Sequence, residues 1–589
     1  MKLKSYDLSH IAHSDPDQQS GNTDNNDNTS VSQIVIHQQK KPKDSTSEPG
    51  ERPVREVWHR RKSSWRDDNG FWTNNGRDES DSASRTKKPS LTAGSFEDIL
   101  DRLGCFGPFQ VITLLSYLLM EIASAFIVFI PIFVGTSPES MAYNCTTGAS
   151  DEHFKVNETS NFIGSIRQMI DSPFHYKSIA DEWDLRCEKA WISDVFTSCL
   201  MIGMIVGNLS VSLLADWYGR RQTYLLILCI MFFGTLMSAL SPTIYIYAVA
   251  RFIAGIGFCG CINVSSMAVM EFMTPKWRSL SNCLGPMGEG VMLLSCIAYF
   301  IRPWRLLYLA TAVPYVLIIP IYFFLPESPR WLIRNKKLKE AHDVLGYMAK
   351  INGKEPISYD LLEALQKQEE KETESLKAKK LSYMEFVRNK SLFVTSLYLF
   401  AIWFSWNVAY YGISYNIRNV PGNLYFNVIL IGLANAVGQR ISMPLSDWVG
   451  RRKAVLCGMV LSAVFLVALA ICFLTISVGS YLILIVCFVG LLGMSCTRAA
   501  TRLLSGESFP TAVRTMGLGV GGLGANIAGV VTPQVAYLGS RWPALPFFIF
   551  SVVSVLGSLV VFMMKETKDT PLSDNVKSGN KNKGTNGNK

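Results

Sequence analysis

The stretch DWYGRR at Asp216–Arg221 returns in the second half of the chain as DWVGRR at Asp447–Arg452. Each copy lies between two long apolar segments, and each ends in a pair of arginines. Arginines in a short loop between membrane-spanning segments favour the cytoplasmic side of a bilayer. The repeated stretch therefore predicts a membrane protein built from two related halves.

Apolar segments of about 20 residues, long enough to cross a hydrocarbon core about 30 Å thick, surround both motifs. Six precede a stretch rich in Lys and Glu at residues 331–390, and six follow it. The 589-residue chain is 48% hydrophobic and only 18% charged, whereas a soluble domain carries about 25% charged residues. We predict an all-α membrane protein with twelve spanning helices, at 108–134, 191–216, 221–241, 245–269, 283–301, 304–325, 391–413, 425–447, 453–475, 479–503, 515–538 and 542–564.

Charged residues beyond the two motifs also repeat, at similar intervals after the fourth and sixth segments of each half. They are Glu271, Arg278 and Glu327 in the first half, and Glu507, Arg514 and Glu566 in the second. Parallel repeats of six helices occur in secondary transporters whose substrate binds near the midplane, between two bundles that rock. The sequence indicates such a transporter, facilitative or exchange-driven, that works by alternating access.

The basic residues of the short loops fall on one side of the predicted helices, which places that side and both chain ends in the cytoplasm. The other side carries one long loop at 135–190 with glycosylation sequons at Asn144 and Asn157, so we predict a glycoprotein of the plasma membrane. The predicted organisation is a disordered cytoplasmic tail at 1–95, a first six-helix bundle at 96–330, a central cytoplasmic loop at 331–390, a second six-helix bundle at 391–566 and a cytoplasmic tail at 567–589.

Several classes of protein lack support in the sequence. All seven histidines lie outside the apolar segments and no CxxC pair occurs, so we expect no metal site. No nucleophile paired with a base is apparent and no GxxxxGK(S/T) phosphate loop occurs, so we expect neither an enzyme nor an ATP-driven pump, and no cofactor. The net charge of +10 lies mainly in tails and loops, which favours contact with the lipid bilayer over binding of nucleic acid.

The repeated motifs resemble the loop motifs of the major facilitator superfamily, and PESPRWL at Pro326–Leu332 narrows the resemblance to sugar porters and organic ion transporters. Four further stretches favour the second group, because they are similar to solute carrier family 22, the organic cation, anion and carnitine transporters. They are FEDILDRLGCFGPFQ at 96–110, DEWDLRC at 181–187, YYGISYNIRNVPGNLYFN at 410–427 and GESFPTAVRTMGLG at 506–519. The resemblance covers residues 96–575 in order.

This resemblance implies a major facilitator fold and a small organic ion as substrate, whether a cation, an anion or a carnitine-like zwitterion. Two alternatives stay open: a sugar porter with related loop motifs, and a receptor or scaffold that keeps the fold without transporting. The resemblance also implies a disulfide in the external loop, for which the polar part of that loop offers Cys145 and Cys187.

Five charged residues stand out inside the apolar segments, where exposure to lipid would cost about 3 kcal/mol or more. Glu121 and Glu289 are placed midway along the first and fifth predicted helices, Arg440 lies on the eighth, and Arg498 and Arg502 lie on the tenth. We expect them to face the bundle interior, except that Arg502 is expected to extend toward the cytoplasmic surface. Glu289 and Arg440 are hypothesised to pair when the inner gate closes; a permanent structural ion pair is the alternative.

In solute carrier family 22, which this sequence resembles, one position on the eleventh helix differs with the charge of the substrate. Cation transporters usually have an acidic residue at that position, whereas anion and carnitine carriers usually have an arginine. Asn526 occupies that position here and is neutral, so we expect Arg498 to supply a positive charge instead. This favours an anionic or zwitterionic substrate, with aromatic rings of the seventh helix as a further contact surface. The substrate-binding candidates are Glu121, Glu289, Trp406, Tyr410, Tyr411, Arg498 and Asn526.

The charged loop residues resemble the family's gating network, in which opposite charges at helix ends lock one access state and separate in the other. Glu271 is expected to act with Arg278, and Glu507 with Arg514. The gating candidates are Asp216, Arg220, Arg221, Glu271, Arg278, Glu327, Arg330, Arg440, Asp447, Arg451, Arg452, Glu507 and Arg514.

Overall fold

The computed structural model describes residues 96–135, 178–185, 187–274, 277–278, 284–377, 388–420, 422–475, 481–509, 513–540 and 542–568. Several features of the sequence analysis lie outside these residues. They are the tail at 1–95, most of the tail at 567–589, the sequons at Asn144 and Asn157, and both predicted disulfide partners, Cys145 and the side chain of Cys187.

Twelve helices of the described part follow the twelve apolar segments in order, and we number them α1 to α12. Eleven of them, with α10 taken together with its continuation, are long and apolar enough to cross a membrane. They are α1 Pro108–Phe129, α2 Trp191–Tyr218, α3 Arg220–Leu240, α4 Ile244–Glu271, α5 Met287–Phe300, α6 Trp304–Phe324, α7 Lys390–Asn416, α8 Leu424–Val449, α9 Arg451–Thr475, α10 Tyr481–Ser495, α11 Arg514–Tyr537 and α12 Leu545–Met563.

Helix α5 is shorter than the apolar segment that predicts it. It has 14 residues, which as a helix cover about 21 Å. Pro286 immediately precedes it and lacks the N–H that a helical hydrogen bond needs, and it also disfavours helical geometry at Gly285. Glu289 therefore lies in the first turn of α5, so its predicted position midway along the helix is wrong.

The tenth apolar segment contains two helices where the sequence predicts one. After α10 the chain leaves the helical path and forms a second helix at Arg498–Glu507. Side chains of neighbouring helices satisfy the backbone at the break: the Ala499 N–H donates to Ser442 Oγ at 2.9 Å, and the Met494 carbonyl accepts from Trp406 Nε1 at 3.2 Å. Such inserted hydrogen bonds are a common cause of helix kinks. Arg498 consequently begins a helix and does not lie within one.

The helices form two groups of six. In the first group α4 packs against α2 and α3, while α1 packs against α4, α5 and α6. In the second group α7 packs against α11 and α12, and α10 packs against α8 and α9. The groups meet along two helix pairs, α2 with α11 and α5 with α8. This arrangement confirms the predicted all-α fold of two six-helix bundles.

Small residues let α5 and α8 cross with their backbones in contact. A methyl group added at Gly288 would lie 2.5 Å from the backbone N of Ala436 and 2.5 Å from the carbonyl oxygen of Gly432. Close backbone approach of this kind is the reason that small residues are enriched where membrane helices pack. The crossing places Glu289 of α5 directly beside α8.

Gly288→Ala is expected to lower the thermal midpoint of the purified protein, because the added methyl meets backbone atoms that cannot rotate away. Overpacking of this kind costs about 1–3 kcal/mol. The matched control is Gly346→Ala in the helix Leu338–Asn352, at a position where an added methyl has no neighbour within 4 Å. Alanine favours a helix over glycine by about 1 kcal/mol, so the control should be neutral or stabilising. Equal midpoints for both variants would contradict the tight crossing.

Several short helices pack together at the end of the bundles that carries the two DW-GRR motifs, which we call the motif side. Three of them come from the stretch predicted as a central loop: Pro329–Arg334, Leu338–Asn352 and Tyr359–Lys377. The fourth, Phe96–Arg102, precedes α1. Their shared core contains Leu100, Leu103, Leu332, Leu345, Met348 and Leu362.

Candidate functional site: a charged cavity between the bundles

A buried carboxylate on α1 faces two arginines of the second bundle. Glu121 is 5% exposed, and the charges of Arg498 and Arg502 both act on its carboxylate. Tyr117, one turn earlier on α1, lies close enough to the same carboxylate to interact with it. Oε2 of Glu121 has no hydrogen-bond partner among the described residues, which leaves it able to accept one from a ligand.

The two arginines share one face of the helix Arg498–Glu507, since residues four apart lie one above the other. Arg502 is exposed, yet it lies within electrostatic range of Tyr117 and the buried Glu121. Solvent therefore reaches Arg502 although it lies near a carboxylate of the other bundle, and its extension toward the cytoplasmic surface stays a prediction.

A second carboxylate and arginine meet across the α5–α8 crossing. Arg440 Nη2 contacts Glu289 Oε1, and Arg440 Nη1 donates to the carbonyl of Ala436 at 2.7 Å. The side chain of Arg440 is 43% exposed and that of Glu289 31% exposed, so the pair remains open to solvent in this conformation. Glu289 also acts electrostatically on Glu121.

The start of α5 brings these charged groups together. A methyl group added at Gly285 would lie 2.6 Å from Nε2 of Gln439 on α8 and 2.9 Å from Oε2 of Glu121 on α1. The cluster thus joins three helices at one point. Its two carboxylates and three guanidiniums leave one net positive charge in the cavity, carried by Glu121, Glu289, Arg440, Arg498 and Arg502.

The aromatic candidates of α7 lie next to Arg498, whose charge acts on both Tyr410 and Tyr411. Trp406 stacks on Tyr410 with 5.0 Å between ring centroids. Its indole N–H is already used at the helix break, because it donates to Thr497. Trp406 therefore supports the segment that carries Arg498, whereas the Tyr410 hydroxyl is buried without a hydrogen-bond partner among the described residues.

Asn526, the remaining substrate-binding candidate, lies half-buried on α11. Helix α11 packs against both α7 and α2, so it borders the contact between the bundles. The neutral side chain adds no charge to the cavity.

The bundles are closed at the end opposite the motif side. Arg418 follows α7 and its Nη2 donates to both carboxylate oxygens of Asp194 in the first turn of α2, at 2.8 and 2.9 Å. The side chains are 11% and 9% exposed. Ser198 of α2 also donates to the carbonyl of Val530 on α11 at 2.8 Å. The sequence analysis missed this ion pair, although Arg418 belongs to the family-like stretch at 410–427.

Charged residues of the first motif form a network within the first bundle. Arg220 contacts Glu271 at 3.2 Å and Asp216 at 3.3 Å. The backbone N–H groups of Arg220 and Arg221 donate to Glu327. A methyl group at Gly219 would lie 2.3 Å from that carboxylate, and its φ of +96° is a conformation that favours glycine.

The second motif repeats this geometry. Arg451 lies 3.2 Å from Asp447 and 3.5 Å from Glu507, and the Arg452 N–H donates to Glu566 at 3.2 Å. The internal sequence repeat is thus an internal repeat of contacts. Each network stays within its own bundle in this conformation.

Two expected pairings are not formed in the described conformation. Glu271 contacts Arg220 and not Arg278, because the chain turns after α4 and the Arg278 guanidinium folds back onto the carbonyls of Met270 and Met273. Basic side chains commonly stabilise the last carbonyls of a helix in this way.

In the second half, Glu507 accepts a hydrogen bond from Thr567 at 2.6 Å and contacts Arg451. Two nitrogens of Arg514, Nε and Nη2, are buried and have no hydrogen-bond partner within the described ranges. The expected contact of Glu507 with Arg514 is therefore absent from the described residues.

Arg278 instead shares a carboxylate with Arg330. Both contact Glu97 of the helix Phe96–Arg102, and the Arg278 distance is 3.0 Å. Burial raises the pKa of Glu97, but the two guanidiniums outweigh it and hold that pKa below its ordinary value. Sequence reasoning missed Glu97, because an acid in a polar segment before α1 resembles a solvated residue.

Acidification is expected to release the helix Phe96–Arg102 from the motif side. A depressed pKa means that the contact is complete at neutral pH and is lost as pH falls through the lowered value. Exposed ion pairs are worth about 1 kcal/mol or less, so amide exchange in this helix should accelerate by up to about fivefold. Hydrogen exchange between about pH 7 and about pH 3, with each rate divided by the intrinsic amide exchange rate at that pH, measures this, with Glu97→Gln as reference. An equal pH response in Glu97→Gln would assign the effect to another group.

Comparison with known proteins identifies several similar chains. The sequence profile of the family described as sugar (and other) transporter matches residues 158–575. The organic cation transporter protein of Drosophila melanogaster is 26% identical over 525 residues, 82% of this chain and 94% of that protein. The organic cation/carnitine transporter 2 of Mus musculus is 26% identical over 409 residues, 69% of this chain and 72% of that one. Solute carrier family 22 member 6-A of Xenopus laevis is 29% identical over 410 residues, 68% and 71% of the two chains.

Solved structures support the fold. The xylose transporter XylE from E. coli, in a partially occluded inward open conformation, matches with a TM-score of 0.56 and 17% identity over 79% of this chain and 100% of that chain. The same transporter in an inward open conformation matches with a TM-score of 0.53. The major facilitator fold predicted from the repeated motifs is thereby confirmed.

Proposed function

The chain belongs to the sugar (and other) transporter family, and from this premise we propose that it moves small organic ions across a membrane by alternating access. The observation that carries the proposal is the cavity in which Glu121 faces Arg498 and Arg502 between the two bundles. Ionisable groups inside a membrane protein are costly unless they serve a pathway or a binding site. Relatives named for organic cations and for carnitine support a charged organic substrate.

We favour an anion or a zwitterion over a simple cation. The cavity charges sum to one positive charge, and Arg498 and Arg502 offer donors on one helix face to a carboxylate. The ammonium group of a zwitterion would meet Glu121 or Glu289. The ring of Tyr411, which lies 5.3 Å from that of Tyr410, would contact the apolar part of the substrate.

Gating in this proposal follows from which end of the bundles is closed. The positive residues of the motifs favour the cytoplasm for the motif side and for both chain ends, and we propose the plasma membrane as the location. The buried Asp194–Arg418 pair then closes the external side, and the described conformation faces inward. Substrate release would let the bundles rock, bringing the motif-side networks together.

Uptake of a pooled panel of organic cations, anions, zwitterions and sugars, measured by mass spectrometry in expressing cells, tests the proposal. Surface abundance is measured in parallel, and cells without the protein supply the background. Accumulation of charged organic molecules is the expected result. Accumulation of sugars alone would favour the sugar-porter alternative, and no uptake at full surface abundance would favour a receptor or scaffold.

A further inference from the structure

The hydrogen-bond ladder of α1 is interrupted at the end of the bundles opposite the motif side, which we call the closed end. Pro131 begins the short helix that continues α1. Because proline has no N–H, it cannot donate to the carbonyl of Ile127, four residues earlier in the last turn of α1. A membrane helix tolerates a proline where neighbouring groups satisfy the carbonyl that it frees. Ile127 therefore needs a donor from elsewhere in the structure.

Arg251 of α4 supplies that donor. Its Nη2 donates to the carbonyl of Ile127 at 2.9 Å, and the residue is 1% exposed. Its charge acts on Tyr247, Tyr315 and Tyr415, and no carboxylate of the described residues forms an ion pair with it. A buried cation without an acid is costly, but the last carbonyls of a helix together carry about half a negative charge. The interrupted end of α1 thus stabilises the guanidinium that caps it.

The stretch that follows the interruption, residues 131–135, contributes to the closed end. The ring of Phe133 stacks on the ring of Tyr425 of α8, with 5.7 Å between the centroids, and this contact joins the two bundles. A methyl group added at Gly135 would lie 4.0 Å from Arg418 Nη1, so the stretch also lies beside the buried ion pair of the closed end. The path of the chain after Pro131 therefore affects how well this end closes.

We propose that Arg251 is a positioning residue for the closed end and that it acts through α1. By capping the carbonyl of Ile127 it holds residues 131–135 against the second bundle, although its own hydrogen bond stays within the first. Loss of the cap destabilises the closed conformation most, because water reaches the freed carbonyl once the bundles separate at this end. The proposal deepens the gating part of the proposed function and rests on it.

A thiol placed in this stretch reports its release. Val134 is 1% exposed, so Val134→Cys in the purified full-length protein should react with a polar maleimide only when the closed end opens. Mass spectrometry of the peptide that carries position 134 measures the labelling rate separately from the native cysteines. Arg251→Met keeps the length of the side chain but removes its charge and its donors. It should raise the rate about tenfold or more, the effect of losing one hydrogen bond from a charged group.

A second substitution restores the missing N–H. Pro131→Ala gives the backbone a donor for Ile127, so Arg251→Met combined with Pro131→Ala should label within about threefold of the Val134→Cys parent. Pro131→Ala alone should change little, because a carbonyl can accept two hydrogen bonds. The matched control combines Arg251→Met with Pro320→Ala, which restores an N–H inside α6 and should leave the labelling high. If Arg251 only stabilised the first bundle, the two double variants would behave alike.

Unchanged labelling in Arg251→Met would overturn the proposal, as would labelling that Pro131→Ala fails to lower or that Pro320→Ala lowers equally. If Arg251→Met does not fold, Arg251→Lys replaces it in the same set of variants. Lysine keeps the charge on a shorter side chain, so labelling should rise by less, and Pro131→Ala should again lower it. Because labelling needs no substrate, its failure is distinct from a failure of the uptake experiment, which judges the proposed function.

Discussion

Arg498→Gln is expected to lower kcat/KM for uptake of an anionic or zwitterionic substrate by about ten- to a hundredfold. Its guanidinium acts electrostatically on Glu121, Tyr410 and Tyr411, three of the proposed binding residues. A hydrogen bond to a charged group contributes about 1.5–3 kcal/mol, and each 1.4 kcal/mol is tenfold. Initial uptake rates over a range of substrate concentrations, normalised to surface protein, measure the effect.

The matched control is Arg334→Gln, which removes an exposed arginine of the helix Pro329–Arg334 outside the bundles. Exposed substitutions away from special features change free energies by about 0.5 kcal/mol or less, so its uptake should stay within about twofold. Arg498→Gln should leave uptake of a purely cationic probe unchanged or faster, since it removes a repelling charge. An equal loss for cations and anions would mean that Arg498 holds the helix break in place and does not select the substrate.

Hydropathy was enough to place twelve helices, because a segment of about 20 apolar residues has few alternatives in a membrane. It failed at the start of α5 and within the tenth segment. Those features depend on Pro286 and on side chains such as Trp406 and Ser442, which approach from other helices. The consequence is functional, since the break turns Arg498 and Arg502 toward α1.

Charge pairing followed from the sequence only at short range. Asp216 lies 3.3 Å from Arg220, and Asp447 lies 3.2 Å from Arg451; each pair is four residues apart across a glycine that joins two helices. Glu271 does not contact Arg278 in this conformation, because the chain turns after α4 and Glu271 contacts Arg220. Arg251 on α4 is 1% exposed and donates a hydrogen bond to the carbonyl of Ile127 on α1 at 2.9 Å. In the sequence this arginine lies near the end of an apolar segment, and that position gave no sign of a contact between two helices.

Arg418→Gln is expected to shift the access equilibrium toward the state that is open opposite the motif side. The substitution leaves Asp194 buried without its cation, and breaking one partner of a buried ion pair costs about 3–5 kcal/mol. That penalty falls on the conformation in which the pair is formed, so the equilibrium constant should change by about a hundredfold or more. Asp194→Asn, which removes the other charge, should shift it in the same direction.

A cysteine at position 198 reports this change. Ser198 is 7% exposed and donates to Val530 on α11, so Ser198→Cys should react with a membrane-impermeant thiol reagent only when that side opens. Labelling should rise strongly with Arg418→Gln. Lys367→Gln, which breaks the exposed Lys367–Glu363 pair, should leave it unchanged. The charge swap Asp194→Arg with Arg418→Asp should restore low labelling if the pair itself closes the end. If Arg418→Gln lowered the thermal midpoint without any rise in labelling, the pair would stabilise the fold in both access states and could not act as a gate.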